Sequence, residues 1–330
     1  MMINNIIKYW VINGDLIVLN GNILSNVALK KEIVLNDNSS VINERKYFSD
    51  VFNDKAVIYN SQLLAIEAFE RQGLISVNVV NDDRYVLRLE RAAEDYYEYF
   101  EGNNFLSIPF KYFRIIEGVF LAFNQSGINT TNELSRINWS TFDKVWTYSL
   151  SQYPQYVDDF GDERVVEIEG EIKLHENILL VPCYNHIFLC LDASTGKLVW
   201  KNDDIKGYFP VYYHQSVIFM TAWQFLELDI LTGKIIRDVN VSKIFKDNDL
   251  VINATWHNTI IYKGKIYRVY SSQFFITKMD YHTLAYEGKI EIKKTTKKSW
   301  QIGEMKIHGD KLYILEWTEK DKNLHIIDLN

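Results

Sequence analysis

An all-β chain built as a β-propeller is what this sequence predicts, on three observations. Short runs of apolar, β-branched and aromatic residues recur along all 330 residues, punctuated by Gly, Asn and Asp turns. These runs group into a repeated four-stranded unit of about 40–50 residues, the period of a propeller blade. Nearly thirty strands in one open sheet would expose long edges, whereas radial repetition leaves only short ones.

The repeat is clearest from Ile187 to Trp200. An apolar strand leads into Asp192-Ala193-Ser194-Thr195-Gly196-Lys197, and a second strand ends on Trp200. Phe225 to Ile236 echoes it through Asp229, Thr232, Gly233 and Lys234. Taken in order, the first two strands of successive units turn at Asn13-Gly14, Asn53-Asp54, Glu117-Gly118, His175-Glu176-Asn177, His214-Gln215-Ser216, Lys263-Gly264 and His308-Gly309-Asp310-Lys311. Such residues supply the positive φ angles of tight hairpins. Third strands follow at 62–69, 134–139, 186–192, 224–229, 274–280 and 323–328, with a weaker match at 23–29. Seven blades are expected. The last lacks a fourth strand, which residues 2–7 at the N-terminus would supply.

Two segments stand outside this pattern. Residues 78–107 read as an insertion in a single propeller domain spanning 1–330, with a short helix over 87–101. Residues 151–171 read as a long connection between the third and fourth units. The loop 124–132 is expected to emerge beside them, so that neighbouring excursions share one face.

Composition narrows the function classes. Hydrophobic residues at 47% are ample for a core, and four Pro among 330 residues argue against disorder. A formal charge of −7 disfavours general nucleic-acid binding and suits a basic partner. Cys183 and Cys190 would not sit opposite each other on one hairpin, so no disulfide is expected. No run of about 18 apolar residues occurs, and the N-terminus carries no basic region leading into a long apolar run. The expectation is a cytoplasmic chain without membrane contact.

No motif specifies a reaction. The Thr-Gly-Lys turns lie between strands, whereas a phosphate-binding loop leads into a helix. His175, His214 and His308 share a turn position that Asn, Glu and Lys fill elsewhere, and adjacent blades would hold them too far apart for one metal ion. The basic run Lys293-Lys294-Thr295-Thr296-Lys297-Lys298 reads as a solvated strand end. The expectation is a non-enzymatic chain with no catalytic, cofactor-binding or metal-binding residues.

The pattern Asp192…Thr195-Gly196-Lys197…Trp200 resembles the repeat of the quinoprotein-like propellers, the PQQ-like repeat. It is partial at Asp229…Lys234 and degenerate at 138–146 and 280–288. The resemblance implies the propeller fold. The quinone-dependent enzymes of that superfamily carry adjacent cysteines over the cofactor; this sequence has none, so a degenerate, non-PQQ member is expected.

The informative residues are Tyr and carboxylates in the two irregular segments. Glu94, Asp95, Tyr96, Tyr97, Tyr99 and Glu101 form one set, and Tyr153, Tyr156, Asp158, Asp159, Asp162 and Glu163 the other. Aromatic anchors with an acidic surround suit a basic protein partner. One version is a bacterial immunity protein neutralising a cationic toxin. The alternative is a small-molecule or carbohydrate-binding or hydrolytic propeller that uses its central channel mouth.

Overall fold

Residues of alternating character produce strands along nearly the whole chain, joined mostly by short turns. The structure is a computed structural model describing residues 2–329, except 13–14, 36–41, 45–46, 53–54, 73, 82–83, 92–93, 102–103, 111, 127–129, 159, 204, 206–209, 222 and 251–258. Among the described residues there are eight four-stranded antiparallel sheets and one separate two-stranded hairpin. This is an all-β propeller fold, with eight blades where seven were expected.

The extra blade comes from the segment read as an insertion. Leu74–Asn81, Arg84–Arg91, Glu94–Glu101 and Asn104–Ile108 form a complete sheet, the third in chain order. The described residues of the expected helix, 87–91 and 94–101, are strand instead. Leu87 and Leu89 are buried while Arg88 and Glu90 are exposed, a two-residue period that only a strand satisfies. Two smaller corrections have the same origin. The run expected as a third strand at 62–69 is the fourth strand, Ala65–Glu70, because Ile42–Glu44 opens that sheet. The loop at 124–132 is short, since Val119–Ser126 and Thr130–Ile137 stay paired out to Ser126 and Thr130.

The chain divides into two compact units. The first, residues 1–107 with 252–330, holds sheets one, two, three, seven and eight. Sheet eight is Gln301–His308, Lys311–Trp317 and Lys322–Asp328, completed by Met2–Ile6. Met2 lies opposite His325 and Ile3 opposite Leu324, so the N-terminal strand closes the last blade as expected. Ile6, Tyr9, Leu16 and Val18 share one buried cluster with Leu315, Leu324 and Ile326.

The second unit, residues 108–251, holds sheets four, five and six. Their fourth strands are Lys144–Ser149, Leu198–Asn202 and Ile235–Asn240. The core lies between sheets: Leu121 and Leu134 of sheet four meet Leu179, Leu189 and Leu191 of sheet five. On its other face sheet five packs Leu180, Phe188 and Cys190 against Val217, Phe219 and Leu228 of sheet six.

The Asp-x-x-Thr-Gly-Lys turns have a local and a tertiary cause. Asp192 accepts the N–H of Ser194 at 2.9 Å and of Thr195 at 2.7 Å, with both hydroxyls also donating to it. Those donors, Ser194 first and Thr195 next, hold the carboxyl down to about 2. Gly196 sits at φ +69°, and an added Cβ would lie 2.5 Å from the Trp146 ring. Trp146 Nε1 donates to Ala193 O at 3.1 Å. One sheet later the arrangement recurs, with Trp200 over Gly233 and its Nε1 donating to Ile230 O at 3.1 Å. Each tryptophan therefore locks its sheet onto the turn of the next.

Cys183 and Cys190 are both buried free thiols, and burial pushes Cys190 up to about 12. Among the described residues, no helix is long and apolar enough to cross a membrane.

Candidate functional site

The two candidate segments fare differently. In the first unit, residues 94–101 form the third strand of sheet three, and its two described carboxylates, Glu98 and Glu101, are engaged. Glu98 takes a two-pronged contact from Arg71, Nε to Oε2 at 2.6 Å and Nη2 to Oε1 at 2.8 Å. Glu101 accepts Arg84 Nε at 2.6 Å and the Tyr99 hydroxyl at 2.8 Å. Tyr99 is only 2% exposed and Tyr97 is half-buried. Of the tyrosines described here, Tyr99 is therefore packed into the sheet and Tyr97 partly so. The side chains of Glu94, Asp95 and Tyr96 lie outside the described residues.

In the second unit, residues 150–172 do form an excursion between sheets four and five. It begins with a short 3₁₀ turn, Leu150–Gln152, capped by Ser149 and anchored by buried Leu150. Tyr153 and Tyr156 then lay their rings against the core cluster of sheets four and five. The Tyr153 hydroxyl lies 2.7 Å from that of Tyr148, and Lys201 Nζ lies 5.5 Å from its ring centre. Tyr153 and Tyr156 both have raised pKa values, through burial first. They anchor the excursion more than they decorate it.

Beyond Tyr156 the chain makes a small hairpin, Tyr156 opposite Arg164 and Val157 opposite Glu163. Asp158 organises it. Its Oδ1 accepts the N–H of Phe160 at 2.9 Å and of Asp162 at 3.0 Å, and its Oδ2 accepts Arg164 Nε at 2.9 Å. Arg164 Nη2 also donates to Asp162 at 2.9 Å. The Arg164 hydrogen bond, then the backbone donors, keep the Asp158 carboxyl below the usual range. Gly161 supplies the φ of +89° that turns the chain back. Asp159 lies outside the described residues.

The hairpin tip holds two residues outside the expected partner-binding set, Val157 and Phe160. Phe160 is 92% exposed and Val157 65% exposed. The signal was present: an aromatic residue between aspartates and a turn glycine has no core within reach. Downstream, Glu169 N–H donates to Pro182 O at 2.9 Å and Tyr184 N–H to Glu167 O at 2.9 Å. This seats the segment beside residues 182–184 and brings the half-exposed Tyr184 near Tyr156.

The charge is milder than the sequence suggests. Seven carboxylates and one arginine lie in 151–171, but Arg164 pairs with both Asp158 and Asp162, and Glu169 is half-buried, which raises its pKa. Glu163 and Glu171 are exposed. The surface is thus an apolar tip within an acidic field.

No family model and no curated protein matches this chain. Solved structures do. BamB from Moraxella catarrhalis aligns with a TM-score of 0.58 at 10% identity, covering 99% of this chain and 98% of that one. The computationally designed protein Ika8 aligns at 0.57 and 8% identity, covering 98% and 96%. Sqt1 from Saccharomyces cerevisiae aligns at 0.54 and 7% identity, covering 98% and 99%. At these identities the likeness is one of fold, and it extends over essentially the whole chain.

Proposed function

We propose that this chain is a non-catalytic protein-binding propeller that grips a basic protein through the 151–171 excursion. The observation carrying the proposal is the Val157–Phe160 tip. A phenylalanine almost wholly in water, on a hairpin held by three hydrogen bonds to the Asp158 side chain, is exposed apolar area kept in a fixed shape. Exposed aromatics on rigid supports are the usual anchors of interfaces, and surrounding carboxylates steer a cationic partner. The residues named for the surface are Val157, Asp158, Phe160, Asp162, Glu163, Glu167 and Tyr184, with Tyr153 and Tyr156 as supports. A bacterial immunity protein that blocks a cationic toxin in the cytoplasm is the finer version of this reading.

The repeat supports a place among the quinoprotein-like propellers as a member that does not bind the quinone. The two Trp-over-Gly contacts explain why its turn motif persists as packing.

Calorimetric titration of the full chain against a panel of small basic nucleases tests the proposal. We expect at least one binder whose affinity falls with salt. The double variant Phe160→Ala/Glu163→Lys should weaken it by roughly tenfold or more, as expected for loss of an aromatic anchor. Equal affinity of the variant for every binder would sink the assignment of this surface.

A further inference from the structure

The run Lys293–Lys298 joins sheet seven to sheet eight, and it is not a loose strand end. Thr296 N–H donates to Ser299 Oγ at 3.2 Å and Lys298 N–H to Thr296 Oγ1 at 3.1 Å, folding the loop on itself. The loop is also pinned from below. Glu316, with no exposed surface, accepts the Thr295 N–H at 2.8 Å, and its other oxygen lies 2.8 Å from His325 Nε2. Asn323 Nδ2 reaches Thr295 Oγ1 at 2.8 Å. Burying a carboxylate costs several kcal/mol, on the order of magnitude of half a domain's stability, unless donors satisfy it. A connection with no role beyond joining two sheets does not require that device.

What the device holds in place is a cationic, aromatic surface. Lys293, Lys294, Lys297 and Lys298 are all exposed. Trp300 follows, 54% exposed, with its N–H donating to Trp317 O at 3.1 Å and its Nε1 to Thr318 O at 3.3 Å. Its one polar side-chain atom is used inward, so the part facing water is flat carbon. Lys320 and Lys322 come from the adjacent turn of sheet eight, with Lys322 Nζ 5.6 Å from the Trp317 ring centre. The acidic neighbours are Glu319, paired with Lys298 at 2.6 Å, and Asp321. Lys294 also lies 4.2 Å from the Phe274 ring centre. A chain-wide charge of −7 does not describe this patch.

We propose that the Lys293–Trp300 loop binds single-stranded nucleic acid, with lysines on phosphates and one base stacked on Trp300. Flexible ammonium groups neutralise phosphates without demanding geometry, and an aromatic face accepts any unstacked base. An acidic peptide would satisfy the lysines but would leave the flat ring without a matching flat group. This surface is separate from the 151–171 excursion and does not rest on it.

Fluorescence anisotropy of the full chain with labelled 12-nucleotide oligo-dT and oligo-U, at 50 and 200 mM NaCl, tests it. We expect binding that weakens with salt. Trp300→Ala should weaken it about 5- to 150-fold, the range for losing one stacked base, while Trp300→Phe restores most of it. Lys293→Glu/Lys297→Glu should weaken it and flatten the salt slope by about 1.4, two phosphate contacts' worth. Phe160→Ala/Glu163→Lys should leave it unchanged, which separates this proposal from the previous one. Thermal melts check that each variant folds. Absence of binding at 50 mM NaCl, indifference to Trp300→Ala in a folded variant, or equally tight binding of a poly-glutamate peptide would overturn it.

Discussion

Gly196 shows how one atom can decide a repeat. Its φ of +69° suits glycine, and an added methyl would collide with Trp146 at 2.5 Å. Gly118, at φ +82°, has open space around its missing Cβ. Gly118→Ala therefore meets only backbone strain, on the order of 1 kcal/mol. Gly196→Ala should cost that and an overpacking penalty of about 1–3 kcal/mol. Urea unfolding of the two variants checks this, and equal midpoints would show that the Trp146 contact is not the constraint. The same geometry explains why the Thr-Gly-Lys turn could be read from sequence while its reason could not. The motif is local, but the ring above it comes from the preceding sheet.

At the scale of one element, the loop between sheets seven and eight depends on Glu316. Burial alone would raise its pKa, but hydrogen bonds from Ser299, Thr295 and His325 outweigh that and lower it. A carboxyl whose folded pKa lies below its unfolded value of about 4.3 stabilises fully above that value. The contribution is lost as pH falls through the lower folded pKa. Glu316→Gln should thus destabilise by about 1.5–3 kcal/mol at pH 7, the worth of hydrogen bonds to a charged group. The deficit should shrink toward pH 3, as read from urea midpoints across that range; a constant deficit would mean the charge is not what matters. Sheet three makes the complementary point. Residues 87–101 mix strong strand formers with Ala, Glu and Arg, and the helical reading followed the latter. Burial of Leu87 and Leu89 between sheets decided for the strand.

At the scale of the whole molecule, the first strand is paired with the last. Met2–Ile6 completes sheet eight, and Ile6 is buried in a cluster drawn from sheets one and eight. Deleting residues 1–7 should expose the edge of Lys322–Asp328 and remove that buried isoleucine, lowering stability by about 2–5 kcal/mol. A urea midpoint unchanged by the deletion would refute the role of this strand. The sequence alone was enough for the all-β class, the four-stranded period, most hairpin turns and the N-terminal closure, because these follow from side-chain alternation and turn chemistry within a few residues. It was not enough for the eighth blade, the pairing of Glu98 and Glu101 with arginines, the burial of Tyr99 or the exposure of Phe160. Those depend on which surfaces face each other after folding, and local alternation does not contain that information. The excursion at 151–171 was therefore found by its departure from the repeat, but its charge and its apolar tip were decided by tertiary contacts.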